Sequence, residues 1–181
     1  NNTSAANGGA LFGQAGAGSS NSVLTNVVFR NNTGVQGGGM YNNATSPTLN
    51  RVTFEGNTAG RGGGLYNYLG ATPTLNDVKI VDNTATDAAS GYGGGGMINH
   101  SASPVLNRVL ISGNSAASEG GGMSNRDNAH PTLNNVVVSG NRSNRNGGGV
   151  YTTASNSGGS PTYTNVTIAG NYAAISGGGV Y

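Results

Sequence analysis

A glycine-rich phrase recurs along this chain at intervals of 25 to 32 residues, and this repetition restricts the fold more than any other feature. Each copy holds a run of small residues followed by an apolar residue. The seven copies are GGALF (8–12), GGGMY (37–41), GGGLY (62–66), GGGMI (94–98), GGGMS (120–124), GGGVY (147–151) and GGGVY (177–181). Self-similarity at such a period indicates a solenoid, a propeller or a repeat array.

A second phrase, P-T-L-N-x-V-x-(F/I/V)-x-G-N, lies between the glycine phrases and has constant length. Its first and last residues are ten positions apart, as in Pro47 to Asn57 and Pro131 to Asn141. Three apolar columns recur within it, and a fourth follows the glycines. The columns are Leu24, Leu49, Leu75, Leu106, Leu133 and Tyr163; Val27, Val52, Val78, Val109, Val136 and Val166; Phe29, Phe54, Ile80, Ile111, Val138 and Ile168; and Leu11, Met40, Leu65, Met97, Met123, Val150 and Val180.

The V-x-F alternation and the abundance of β-branched and aromatic residues predict short strands rather than helices. We expect an all-β chain, a right-handed single-stranded parallel β-helix of about seven coils, with about three short strands per coil and the four apolar columns inside. A propeller blade, at about 40–45 residues, is longer than these repeats. A leucine-rich repeat would need the phrase L-x-x-L-x-L, which this sequence lacks.

We predict a single repeat domain over residues 1–181, without caps. The strands of a terminal coil expose unpaired backbone groups unless something covers them. We therefore expect each terminal coil to pair with further chain, as in a segment of a longer protein, or with a neighbouring copy stacked end to end in a fibre.

Composition and charge argue against several functions. Only 8% of the residues are charged, and the net charge of +2 comes without a basic stripe, so nucleic acid is not an expected partner. There is no cysteine, and no apolar run approaches the roughly 18 residues needed for membrane insertion. The acidic residues form no recurring cluster, so we predict no catalytic residue, metal site or cofactor. They are Glu55, Asp77, Asp82, Asp87, Glu119 and Asp127.

An asparagine closes the constant phrase in every repeat, and we predict that these asparagines form a structural ladder. Asparagine tolerates the left-handed backbone of a tight turn, and stacked amides can hydrogen-bond along a coil. The ladder residues are Asn32, Asn57, Asn83, Asn114, Asn141 and Asn171. A neighbouring outward column, which includes Arg51, Asp77 and Arg108, predicts a ladder of surface charges.

Aromatic residues follow the fourth apolar column, and strand alternation places them on the outside. Phe12 and Tyr181 stand at the two ends of this row. The residues with a possible glycan-facing role are Tyr41, Tyr66 and Tyr151. Two other roles stay open for them, which are to shield the backbone and to pack against a long loop. His100 and His130 are expected in the variable arms near Asp127, as solvated side chains.

The alternation of G-G-(A/G)-(I/L/M/V) with F-x-x-N resembles the repeat of the chlamydial polymorphic outer membrane proteins. The second phrase is intact at 29–32 and 54–57 and relaxed in the later repeats. The sequence is similar as well to the wider set of bacterial secreted proteins with right-handed parallel β-helix repeats. This resemblance covers the whole chain and implies an extracellular or cell-surface stalk or passenger, often adhesive.

We therefore predict a non-catalytic extracellular segment with a structural or adhesive role, able to form fibres and to bind a carbohydrate or a host or cell surface. One alternative is a scaffold fragment of a polysaccharide-acting β-helix enzyme, a lyase or hydrolase. A more remote one is an ice-binding face. Its row would be Val23, Thr48, Thr74, Val105, Thr132 and Thr162. Lys79, in the next outward column, argues against ice because it interrupts a flat surface.

Overall fold

The computed structural model describes residues 1–15, 21–89, 92–153 and 159–181. Within these residues every element is a strand, and the strands stack in four parallel sheets of six strands each. The chain is thus an all-β parallel solenoid of about six turns, which confirms the predicted fold class. Each turn contains a fourth strand, of two to four residues, beyond the three that the sequence predicts.

Two sheets are formed by the constant phrase, and a two-residue corner separates them. Sheet I consists of β2 (Val23–Thr25), β6 (Thr48–Asn50), β10 (Thr74–Asn76), β14 (Val105–Asn107), β18 (Thr132–Asn134) and β22 (Thr162–Thr164). Sheet II consists of β3 (Val28–Arg30), β7 (Thr53–Glu55), β11 (Lys79–Val81), β15 (Leu110–Ser112), β19 (Val137–Ser139) and β23 (Thr167–Ala169).

The other two sheets lie on either side of the glycine phrases. Sheet III precedes the glycines and consists of β4 (Thr33–Gln36), β8 (Thr58–Arg61), β12 (Thr84–Ala85), β16 (Ser115–Ala116), β20 (Arg142–Ser143) and β24 (Tyr172–Ala173). Sheet IV follows them and consists of β1 (Leu11–Gln14), β5 (Met40–Asn43), β9 (Leu65–Tyr68), β13 (Met97–His100), β17 (Met123–Arg126) and β21 (Val150–Thr152). Arms of unequal length lead from sheet IV back to sheet I.

The four predicted apolar columns point inward and form one continuous core, except in the last coil, where Tyr163 and Val180 are exposed. Equivalent residues pair directly, so Leu49, Leu75 and Leu106 lie in register and are all fully buried. Each large side chain buried in this way contributes on the order of 1.5–3 kcal/mol. Because each strand has only two to four residues, this stacking of coils, rather than strand length, stabilises the sheets.

Sheet III contributes a fifth inward column, which the sequence analysis missed because its members are small. They are Gly34, Ala59, Ala85, Ala116, Ser143 and Ala173. The adjacent glycines explain the small size. A Cβ atom on Gly95 would collide with the backbone carbonyl oxygens of Ser115 in sheet III and Gly121 in the next coil. The cross-section is therefore narrow here, with backbone directly against backbone.

Left-handed backbone recurs at three corners of each coil, and the third is the first glycine of the glycine phrase, as at Gly62 and Gly94. The first, between sheets I and II, has positive φ at Asn26, Arg51, Asp77, Arg108, Asn135 and Asn165. The second has positive φ at the residue just before each ladder asparagine, for example 63° at Gly56 and 55° at Asp82. The left-handed backbone that the sequence analysis assigned to the ladder asparagines therefore belongs to the preceding residue.

Candidate functional site

The asparagines that close the constant phrase are buried and hydrogen-bonded to one another along the solenoid. Asn83 shows the pattern, because its Nδ2 donates to Asn114 Oδ1 at 3.0 Å and to the Phe54 carbonyl at 3.1 Å. Its Oδ1 accepts from both the backbone N–H and the Nδ2 of Asn57, each at 2.9 Å. Every polar atom of the side chain is therefore used within the protein, which leaves none for a ligand.

This buried ladder has a fixed direction. Each amide donates to the next coil along the chain, beginning with Asn2 Nδ2 to Asn32 Oδ1 at 2.9 Å and ending with Asn141 Nδ2 to Asn171 Oδ1 at 2.9 Å. The backbone fixes this orientation. Asn141 Oδ1, for example, also accepts the backbone N–H of Asn114, and Asn114 Nδ2 also donates to the Ile80 carbonyl. An unpaired buried amide would cost about 1–3 kcal/mol, so the ladder fixes the register of the coils.

A second buried ladder runs inside sheet IV and was not predicted. Asn42, Asn67, Asn99 and Asn125 are almost fully buried, and each Nδ2 donates to the Oδ1 of the next member at 2.9 Å. The last amide donates to Thr152 Oγ1 at 3.3 Å. Its sequence signal was an asparagine two positions after the fourth apolar column, and alternation would have placed that position inside.

A third, half-buried ladder lies on the outer surface of sheet I; it is named the outer ladder here. Its members are Asn50, Asn76, Asn107 and Asn134. Asn76 Nδ2 donates to Asn50 Oδ1 at 3.0 Å, and Asn107 Nδ2 donates to Asn76 Oδ1 at 2.9 Å. This direction is opposite to that of the buried ladders.

The aromatic row of sheet IV is largely covered, which corrects the expectation of exposed rings. Tyr41 and Tyr66 are only 4% and 2% exposed, although they point away from the main core. Tyr41 is enclosed by Phe12, which stacks at 5.4 Å between ring centroids, and by Tyr66 and Tyr68. Neither buried ring can stack on a sugar. Tyr151 stays half-exposed, with its ring 5.5 Å from that of Tyr181, so a glycan-facing role remains a prediction for Tyr151 alone.

The longest arm between sheets III and IV contributes to this cover. It leads from β12 to β13, and its residues 90 and 91 lie outside the described part of the chain. Tyr92 on this arm contacts two arginines, with Arg61 at 3.7 Å and Arg126 at 4.5 Å from the ring centroid. The charges of both arginines also lower the pKa of Tyr66, against the larger effect of burial, so the two cations link the arm to this cluster. This agrees with the alternative of packing against a long loop.

A hydrogen-bonded chain of three side chains crosses three successive coils at this place. The Tyr66 hydroxyl is 3.0 Å from His100 Nδ1, and His100 Nε2 is 2.7 Å from Asp127 Oδ2. These partners favour the neutral ring with its proton on Nε2. Burial lowers the pKa of His100, opposed by Asp127 and reinforced by Arg126 and Arg61. Burial also raises the pKa of Tyr66.

His100 therefore differs from its sequence-based description. It ends strand β13 instead of lying in an arm, and it is half-buried. His130 does lie in an arm, where its Nε2 is 2.9 Å from Asn128 Oδ1 and its Nδ1 accepts the Ser160 backbone N–H. The two histidines have separate partners, and only His100 reaches Asp127.

Five of the six carboxylates lie beside a basic residue, and no two of them share the same basic residue in these pairs. The pairs are Glu55 with Arg30, Asp77 with Arg108, Asp87 with Arg61, Glu119 with Arg145 and Asp127 with His100. The hydrogen bond from Arg108 lowers the pKa of Asp77, and the Ala89 backbone N–H together with Arg61 lowers that of Asp87. Asp77 and Arg108 lie on the left-handed corner, as the predicted surface ladder requires, and Arg51 donates to Asn26 there.

The described residues contain no group of three or more His, Cys, Asp or Glu side chains arranged to hold a metal. Across the same residues, the surface has no pocket. No described helix is long and apolar enough to cross a membrane.

The structure thus defines a parallel β-solenoid whose coils are fixed by internal amide ladders. Two segments, residues 51–68 and 135–153, match the model of the Chlamydia polymorphic membrane protein repeat. Both segments begin at the left-handed corner after sheet I, at Arg51 and Asn135, and run through sheets II and III into sheet IV. The resemblance seen in the sequence is confirmed by these matches. No curated protein and no solved structure matches the chain.

Proposed function

We propose that this chain is a non-catalytic structural and adhesive segment of a protein exposed on the cell surface. The observation that carries the proposal is the repeat match, because two separated segments fit the same family model in the same structural register. Polymorphic membrane proteins are outer-membrane surface proteins, so this register supports a surface location for the present coils.

The physical properties of the solenoid agree with a scaffold role. The amides of the buried ladders bond to one another and to the backbone, and five of the six carboxylates lie beside separate basic residues. Hydrolysis or elimination on a polysaccharide needs two groups that converge on one bond, as paired carboxylates do in glycosidases. The pairing of these five carboxylates with separate basic residues favours the scaffold role over the enzyme alternative.

Two measurements test the proposal. Antibodies raised against the purified chain should label intact source cells as strongly as permeabilised cells. Microspheres coated with the chain should stay attached to a cell surface from which uncoated microspheres are washed away. Labelling that requires permeabilisation, or adhesion equal to that of uncoated microspheres, would refute the surface-adhesive function. Incubation with polygalacturonate provides the enzymatic comparison, and release of unsaturated or reducing ends by the chain would support the alternative.

A further inference from the structure

The outer surface of sheet I differs chemically from the other three faces. Its outward positions form two rows, the outer ladder and the row from Val23 to Thr162, extended at the ends of the ladder by Thr25 and Thr164. Both rows contain only threonine, asparagine and valine. Sheet II carries Arg30, Glu55 and Lys79 on its outward side. Sheet III carries Arg142, which lies over the ring of Tyr172, and sheet IV carries the covered aromatic cluster. Sheet I is therefore the neutral face.

Lys79 does not belong to this face. It lies on β11 in sheet II, beyond the left-handed corner at Asp77. The second row beside the threonines is the outer ladder, which has no charge. The sequence-based objection that a lysine interrupts a flat surface is therefore wrong for sheet I.

The neutral face has free hydrogen-bonding groups in a regular array. Within the described residues the hydroxyls of Thr48, Thr74 and Thr132 have no hydrogen-bond partner. Each inner amide of the outer ladder uses one N–H and one oxygen lone pair along the ladder, as at Asn76. A second N–H and a second lone pair are left over in each such coil.

The regular spacing follows from the constant phrase. All six strands of sheet I have three residues and pair in parallel register. Adjacent strands lie about 4.8 Å apart, which is close to the length of one sugar in an extended β-1,4-linked chain. Such a chain, laid along the solenoid axis, would meet a free hydroxyl or amide at nearly every sugar.

We propose that the neutral face of sheet I binds extended neutral polysaccharide, of the flat β-1,4-linked class. The absence of charge matches an uncharged ligand and disfavours polyuronates and nucleic acid, which need basic partners. Without a pocket, each sugar contact is weak, and affinity comes from several coils that engage one chain at once. The inference rests on the proposed adhesive function and specifies its ligand.

The test uses the whole chain, with insoluble cellulose and chitin as probes. The wild-type chain is expected to be retained on at least one of them. Soluble hexasaccharides of that polymer should displace it, and the monosaccharides should not, because only a polymer spans several coils. No retention on either probe, or displacement by the monosaccharide at equal sugar concentration, would overturn the proposal.

Two matched variants locate the binding face. Replacing Thr48, Thr74 and Thr132 with valine removes three hydroxyls but keeps the β-branched shape that strands favour. Retention should weaken at least about tenfold, with an unchanged melting temperature. The control replaces Thr33, Thr58 and Thr84 of sheet III with valine and should bind as wild type does. Equal binding by both variants, or equal loss, would refute the assignment to sheet I.

Two further outcomes distinguish polysaccharide binding by sheet I from adhesion through another surface and from ice binding. If the chain adheres to cells and the sheet I variant adheres equally well, the adhesive function stands and the polysaccharide assignment is wrong. If neither polymer retains the chain, but wild type inhibits ice recrystallisation and a Thr74→Lys variant does not, the face binds ordered water. The Thr84→Lys variant, on the same coil in sheet III, is the control for that lysine.

Discussion

Sheet I and sheet IV lie on the same coils but were built under different constraints. Sheet I belongs to the ten-residue constant phrase, and every coil presents the same kind of side chain at each outward position. Sheet IV is followed by arms of unequal length, and its outward row changes from Tyr66 to Ile98 to Ser124 on successive coils. The inward side of sheet IV is nevertheless as regular as that of sheet I.

The difference shows where repetition is required. Inward positions must stack on their own copies, so each coil repeats the same choice. Outward positions of sheet IV contact unlike residues from other coils, such as Tyr66 and Tyr68 with His100. A contact between unlike residues needs to be formed only once, and it therefore produces no repeating pattern in the sequence.

The largest expected effect tests the shared inner side. Val109 is 2% exposed in the continuous core, and Val109→Asp would place a carboxylate there without a cation. We expect a loss of about 4 kcal/mol or more, because a buried charge without a partner is strongly destabilising. Thr53→Asp, on the outside of sheet II opposite Lys79, should change stability by about 0.5 kcal/mol or less. Similar thermal melts for the two variants would show that the inward and outward sides are misassigned.

The next largest effect comes from comparing the buried ladder that contains Asn83 with the half-buried outer ladder. Asn83→Ala removes the acceptor of two donors on Asn57 and the donor to the Phe54 carbonyl. We expect a loss of about 2–4 kcal/mol in chemical denaturation, since these groups stay buried. Asn76→Ala in the outer ladder should cost about 0.5–1 kcal/mol, because water replaces the lost bonds. A larger loss for Asn76→Ala than for Asn83→Ala would contradict this order.

The cover of sheet IV should make stability depend on mild acid. His100 has a pKa below its ordinary 6.5 in the folded chain, so the unfolded chain takes up the proton first. Stability should therefore decline as the pH falls below about 6.5 and should be unaffected by this group above it. Asp77 and Asp87, whose pKa values are lowered from 3.8, act only in stronger acid. In unfolding titrations between these limits, His100→Gln should flatten the decline, and an unchanged slope would show that another group is responsible.

The smallest expected effect is a gain at the start of the sheet IV ladder. Gly13 pairs with Asn42, whose buried Oδ1 has no donor among the described residues. Gly13→Asn would extend the ladder in its existing direction and supply that donor. It should exceed Gly13→Ala in stability by about 0.5–1 kcal/mol, because both variants add a Cβ near Thr45 but only asparagine adds the N–H. Equal midpoints of denaturation would mean that the ladder cannot be extended.

The parallel solenoid was predictable because its strongest constraint is periodic. Columns of Leu, Val and Phe/Ile in fixed register imply stacking of like on like, and the structure confirms this at Leu75, Val78 and Ile80. The fourth strand was missed because its inward residues, such as Ala85, are too small to give a hydrophobic signal. The sheet IV ladder was missed because a polar residue such as asparagine is normally assigned to the surface. Only an alignment of the repeats shows that it recurs at an inward position.

The aromatic cover was not predictable from alternation. Strand alternation correctly turns Tyr41 and Tyr66 away from the main core, but it cannot say what lies on top of them. Part of the cover is periodic, because Phe12 stacks on Tyr41 from the equivalent position of the preceding coil. Tyr68 and the arm that carries Tyr92 follow no period. The chain of Tyr66, His100 and Asp127 was equally hidden, since its members share no column.

The coil-to-coil ladders imply a stepwise response to mechanical load. Hydrogen-bonded asparagines of the buried ladder are 25 to 31 residues apart in sequence, although they touch in space. When tension peels one coil away, all of that stored chain is released together. Each event should lengthen the tether by about 80–110 Å, given ~3.3–3.6 Å per extended residue. A protein of this kind would extend under force in discrete steps, while the remaining coils keep their shape. Because the repeats differ in length, the length of each step would identify the coil that has opened.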